Sequence, residues 1–135
     1  MKIMAKAWIA AGCPIVTVTR YRCLHLQEQL MALGWEAVVR DWREEDNSLM
    51  AEALQADLII LQRVPMSAKL RQLIDGAHDQ GKKVVFDTDD LIFEPQLSRW
   101  HRGAARLSTA EQTLYAEGVQ RYLATLEACD YGLTT

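Results

Sequence analysis

The sequence predicts an α/β fold: a Rossmann-like, doubly wound parallel sheet of about five strands, in three α/β/α layers. Two observations carry this. The apolar runs at about 6–11, 57–62 and 83–86 are continuous rather than alternating, which suits strands covered on both faces. Between them lie segments whose apolar residues recur at spacings of three and four, the period of a helix with one buried stripe. A strand–helix order repeated to a fifth strand calls for right-handed crossovers. We expect strand order 3-2-1-4-5 and one domain over residues 1–135.

Each element has a local reason. Residues 6–11 form the first strand. Residues 12–19 contain Gly12, Pro14 and several β-branched residues and read as a loop. From Tyr21 to Leu33 the stripe Cys23, Leu26, Leu30, Leu33 predicts a helix, and Gly34 suits its end because glycine takes positive φ without strain. Glu36 to Val39 is a short second strand. After the polar stretch 41–47, Ser48 is the expected cap of a short helix bearing Leu49, Met50, Ala53 and Leu54. The third strand is Asp57 to Gln62. Pro65 and Ser67 open the next helix, with Leu70, Leu73, Ile74 and Ala77 inward and Gly81 at its end. Lys83 to Phe86 is the fourth strand, followed by a loop at 94–107. Ser108-Thr109-Ala110-Glu111 has the spacing of a capping box, ahead of a helix with Tyr115, Val119, Tyr122 and Leu126 on one face. Asp130 to Thr135 begins a fifth strand. The pattern stops there, so we expect the chain to be part of a longer protein.

Composition excludes several classes. The 15 basic and 18 acidic residues are interspersed and leave a net charge of -3. Without a basic field, nucleic acid is not the main partner. Cys13, Cys23 and Cys129 are odd in number and contain no C-x-x-C, which argues against a disulfide framework or a zinc site and for a reducing cytoplasm. Lys2, Lys6 and the stretch Ala7 to Cys13 faintly resemble a lipoprotein signal. Lys6 interrupts that run and the run is short, so it reads as a strand. No apolar run approaches the roughly 20 residues that span a bilayer.

The chemistry concentrates at Asp87, Asp89 and Asp90, where the fourth strand ends. Ligands of open α/β sheets bind at that edge. Three carboxylates so close repel one another unless a donor, a cation or water compensates them. They are candidates for orienting hydroxyl groups or, as a DxD pair, for holding a divalent cation. A turn after the strand would use one of them as a cap. Arg22, in Arg20-Tyr21-Arg22 at the start of the first helix, and Arg63, closing the third strand, offer guanidinium forks for an anion or for the acids themselves. Gly12 follows the first strand, but no G-x-G-x-x-G accompanies it, so a dinucleotide fingerprint is absent. His101 sits beside Trp100 and Arg99 in the loop beyond the acids, a setting that suits sugar stacking. His25 and His78 read as surface residues.

Several stretches resemble, in order, the N-terminal domain of GT-B-fold glycosyltransferases of the group 1, family-4-like type. They are Tyr21-Arg22, Leu30 to Gly34, Ala56 to Arg63, Gly81 to Phe93 and Tyr122 to Thr135. The most specific is Val-Val-Phe-Asp-Thr-Asp-Asp-Leu-Ile-Phe, residues 84–93. The resemblance implies transfer of a sugar from a nucleotide-sugar co-substrate to a glycan or lipid-linked acceptor, in the cytoplasm, with no metal and no tightly bound cofactor. It implies Asp89 and Asp90 as catalytic candidates and Gly12, Arg22, Arg63 and His101 as binding residues. Its partner would be a C-terminal donor-binding domain, missing here or on another chain. Without that domain the isolated chain should be inactive. Phe86 to Leu91 also resembles the first motif of haloacid-dehalogenase-type phosphatases, with Asp87 as nucleophile and Asp89 as acid/base. That motif normally ends the first strand, not the fourth. A metal-dependent DxD transferase and a non-catalytic Rossmann-like binding module remain as further alternatives.

Overall fold

In a computed structural model, which describes residues 4–13, 16–43, 45–96, 103 and 106–134, five parallel strands form one sheet. They are β1 (Lys6–Ala11), β2 (Glu36–Asp41), β3 (Leu58–Gln62), β4 (Lys83–Asp87) and β5 (Tyr131–Leu133). All four neighbouring pairs run parallel. The doubly wound α/β class is therefore what the sequence predicted.

The strand order is a correction. It is 2-1-3-4-5 rather than 3-2-1-4-5. β1 and β3 are apolar nearly throughout and sit side by side, buried on both faces. β2 carries Glu36, Arg40 and Asp41, all exposed. The expected order would have placed these charges between two neighbouring strands, where desolvation penalises them. At the edge they meet water. The chain thus reverses its winding direction between β1 and β3.

Helices cover both faces. On one, α3 (Asn47–Ala53) and α4 (Ala68–Asp79) enclose Trp8, Ala10, Ile59, Leu61 and Val84. The end of α5 (Thr109–Ala128) joins them through Ala128 and Cys129. Thr125 Oγ1 donates to Val64 O at 2.8 Å, and Arg121 Nε donates to Met66 O at 2.8 Å, which ties α5 to the segment leaving β3. On the other face, Ile9, Ala11 and Ile60 pack on Cys23, Leu26 and Leu30.

These last residues belong to an unbroken helical run: α1 (Val16–Thr19), a π-helical segment (Arg20–Leu24) and α2 (His25–Ala32). The helix begins earlier than the sequence predicted. Val16 to Thr19 are β-branched and weak helix formers, yet Thr19 Oγ1 donates to Cys13 O at 3.2 Å and ties this first turn to the end of β1. The stripe also ends sooner, since Leu33 is exposed.

The caps follow the chemistry of short polar side chains. Ser67 accepts from Leu70 N, and Ser108 with Glu111 forms the reciprocal box. Asp46, not Ser48, caps α3, because its carboxylate accepts from both the backbone and the hydroxyl of Ser48. Among the described residues no helix is long and apolar enough to cross a membrane.

Candidate functional site

The C-terminal ends of β1, β3 and β4 meet at the point where the winding reverses, the place where open α/β sheets bind ligands. Gly12 leaves β1 so close to β3 that a Cβ built on it would lie 2.4 Å from Arg63 O. Its N–H donates to Gln62 O at 2.7 Å. Only glycine fits against that backbone. Arg63 then turns out of the strand at φ 48°, a left-handed conformation for a residue with a side chain. Its N–H donates to Asp87 O at 3.0 Å, and Thr88 N donates to Leu133 O at 3.0 Å. Successive strand ends are thus laced to one another.

The acids find their compensating donors in the two arginines. Arg22 reaches from the π-helical segment, with Nε 3.1 Å from Asp87 Oδ2 and Nη2 bonded to Oδ1. The Asp87 side chain is 1% exposed. Burial pushes its carboxyl above the usual range, and Arg22 pulls the other way. The same bond raises the Arg22 guanidinium. Arg63 places Nε 3.0 Å and Nη2 2.6 Å from Asp89 Oδ1. Its Nη2 also lies 3.8 Å from Asp90 Oδ2, and its Nη1 lies 3.9 Å from Cys13 Sγ.

Thr88 fixes the turn that follows. Its hydroxyl donates to Asp90 O at 2.7 Å and accepts from Asp90 N at 3.2 Å. Asp90 Oδ1 accepts from Leu91 N at 2.8 Å, which leaves the Asp90 carboxylate 63% exposed at the rim. Asp89 and Asp90 therefore stand at the open edge, whereas Asp87 is sealed beneath Arg22.

Gly12, Arg22, Arg63, Asp87, Asp89 and Asp90 all come to one rim. His101 lies outside the described residues, as do Trp100 and Arg99. Gln62 is more than the end of its strand. It sits in register between Ala11 and Asp87, is fully buried, and neither end of its amide meets a partner among the described residues. A polar side chain closing a wholly apolar central strand was the signal. The π-helical segment was not legible. Such segments are rare and cluster at functional sites. Cys23, within it, is an unreactive thiol, pushed up to about 12 by burial.

Two hollows flank this rim. One of about 310 Å³ is lined by Arg22, Asp87, Leu26 and Leu133 among others. A larger groove of about 500 Å³ lies between the outer flank of the helical run and the end of β2, near Ala11 and Asp41. Among the described residues no group of three or more His, Cys, Asp or Glu is placed to hold a metal ion.

No family model matches the chain, and no curated protein matches it. Among solved structures, it is similar to a conserved protein from Enterococcus faecalis V583, at 15% identity with a TM-score of 0.53. That match covers 98% of this chain and 92% of the other, and at this identity it bears on the fold alone.

Proposed function

We propose that this chain is the N-terminal, acceptor-side domain of a GT-B-type glycosyltransferase. The observation that carries the reading is the pairing of Arg63 with one oxygen of Asp89 beside the exposed carboxylate of Asp90. The second oxygen of Asp89 and the Asp90 carboxylate remain as acceptors at a strand-end rim. Two carboxylates so held suit the orientation of sugar hydroxyls, and one of them suits removal of a proton from the attacking hydroxyl. In this reading a nucleotide-sugar is held by a second, donor-binding domain, and closure of the two excludes water. The work is cytoplasmic and needs no resident cofactor.

The test is sugar transfer from a panel of nucleotide-sugars to glycan and lipid-linked acceptors, assayed with the chain joined to or mixed with a donor-binding domain encoded beside it. Asp90→Asn should lower transfer at least tenfold with unchanged thermal unfolding. Wild-type rates in that variant would remove the catalytic role.

A second reading, a non-catalytic binding module, draws on a different observation: both arginines are already engaged by the chain's own carboxylates. It expects no transfer with any donor domain. The phosphatase and DxD readings both need Asp87 available to substrate or cation. The fork of Arg22 on a buried carboxylate argues against both.

A further inference from the structure

The groove between the helical run and β2 is separate from the acid rim, and its residues ask for a ligand of their own. Its floor is apolar, with Ala11 and Val39 from the sheet and Leu24 from the helix. Its charged groups are Arg20 and Glu28 on the helical run and Asp41 at the end of β2, and His25, Thr19 and Cys13 also line it. At about 500 Å³ it has the size of a small-molecule site, and such sites pair apolar walls with a few polar groups.

The charges narrow the ligand. Arg20 and Glu28 make no ion pair among the described residues. Among the described residues Asp41 pairs only with Arg43, at 3.0 Å, both side chains about two-thirds exposed, and such a pair gives way readily to a ligand. A cation would meet Arg20. A bare anion would meet Glu28 and Asp41. A purely apolar ligand would desolvate all three groups without return. A sugar phosphate matches the set: neighbouring hydroxyls that donate to the carboxylates, a ring whose C–H face lies on the apolar floor, and an anionic group for the guanidinium.

We propose that this groove binds a phosphorylated sugar through its vicinal diol, with Asp41 and Glu28 accepting from the hydroxyls and Arg20 holding the phosphate. This proposal is independent of the glycosyltransferase reading, since it uses neither Asp89 nor Asp90. The phosphorylated sugar is either free or the ribose phosphate of a nucleotide, and the experiment separates the two.

The full chain is titrated with glucose 6-phosphate, adenosine 5′-monophosphate, 2′-deoxyadenosine 5′-monophosphate and inorganic phosphate, followed by amide chemical shifts. Saturable shifts at Leu24 and Val39 with glucose 6-phosphate alone identify a free sugar phosphate. Shifts with adenosine 5′-monophosphate, weakened at least fivefold in its deoxy counterpart, identify a nucleotide. In either case Asp41→Asn should weaken binding at least tenfold, and for the nucleotide it should erase the preference for the diol. Arg20→Ala should weaken every phosphorylated probe. Both side chains are exposed, so neither change should disturb folding. The proposal is overturned if no probe shifts groove residues at millimolar concentration. It is equally overturned if inorganic phosphate binds as well as the sugars, or if both variants bind as wild type does.

Discussion

Arg63 directs both Nε and Nη2 at one oxygen of Asp89, 3.0 and 2.6 Å away, from a backbone held at φ 48°. The left-handed conformation costs a residue with a Cβ about 1–2 kcal/mol. Arg63→Gly and Arg63→Ala both remove the guanidinium, so their difference isolates the backbone. Glycine also gains freedom in the unfolded chain, which offsets part of its advantage. We expect Arg63→Gly to be the more stable of the two by about 1 kcal/mol in urea denaturation. Equal stabilities would show that the turn relaxes when the side chain is lost.

Much of this fold is written in hydrophobic pattern, which is why the strands, the stripe of α4 and the capping box at Ser108 were legible. The neighbours of each strand were not, because pattern along one strand does not say which strand lies beside it. The clue lay in comparing strands: the charges of β2 mark an edge, and the continuous apolar residues of β1 and β3 mark the centre. At the site, the residue types pointed to the rim, but the division of labour among the acids did not follow from spacing. Asp87 lies below the rim because it is the last residue of β4, and Asp89 lies on the rim because it comes after the strand, beyond the turn at Thr88. Which arginine meets which acid depends on a π-helical turn for which no periodicity gives notice.

The pair between Arg22 and Asp87 should be the most sensitive contact of the rim. Arg22→Ala leaves a buried carboxylate without its partner, a change that costs roughly 3–5 kcal/mol at neutral pH. The pH dependence has a definite sign. Burial holds the Asp87 carboxyl above its ordinary value, so the folded state binds its proton more tightly than the unfolded state does. The stability from that proton is present below the unfolded value and is lost as pH rises through the folded one. Removal of Arg22 takes away the opposing pull and widens that window. The stability gap between variant and wild type should therefore narrow as pH falls below neutrality. A gap that stays constant from pH 7 to pH 4 would mean that Asp87 is not the stranded group.

Asp130 should behave in the opposite sense. Its carboxylate accepts from Val84 N at 2.8 Å and lies 3.0 Å from His78 Nε2, joining the starts of β4 and β5 to α4. The Val84 N–H, and then His78, hold its carboxyl below the ordinary range. Its stabilisation is thus present above the unfolded value and is lost as pH falls through the folded one. Asp130→Ala leaves a backbone donor unpaired and should cost roughly 1–3 kcal/mol at pH 7. Asp130→Asn keeps an acceptor for Val84 and should cost less. In both variants the part of acid unfolding that belongs to this carboxyl should disappear. An unchanged acid transition would assign it to other carboxyls.

Gln62 gives the test that separates a functional rim from a merely well-packed one. It is fully buried in the central strand, and its amide has no partner among the described residues. A buried polar group left unpaired costs roughly 1–3 kcal/mol, whereas leucine is close to glutamine in volume and asks for no hydrogen bond. Gln62→Leu should therefore raise the midpoint of urea unfolding, with a gain of about 1 kcal/mol or more. Sites that bind or react commonly hold such destabilising groups, and relieving them raises stability at the expense of activity. The same substitution should then weaken whatever transfer or binding the rim supports, because the amide beside Asp87 would be gone. A Gln62→Leu protein that is less stable than wild type would show instead that the amide is satisfied in solution and that the residue belongs to the packing of the sheet.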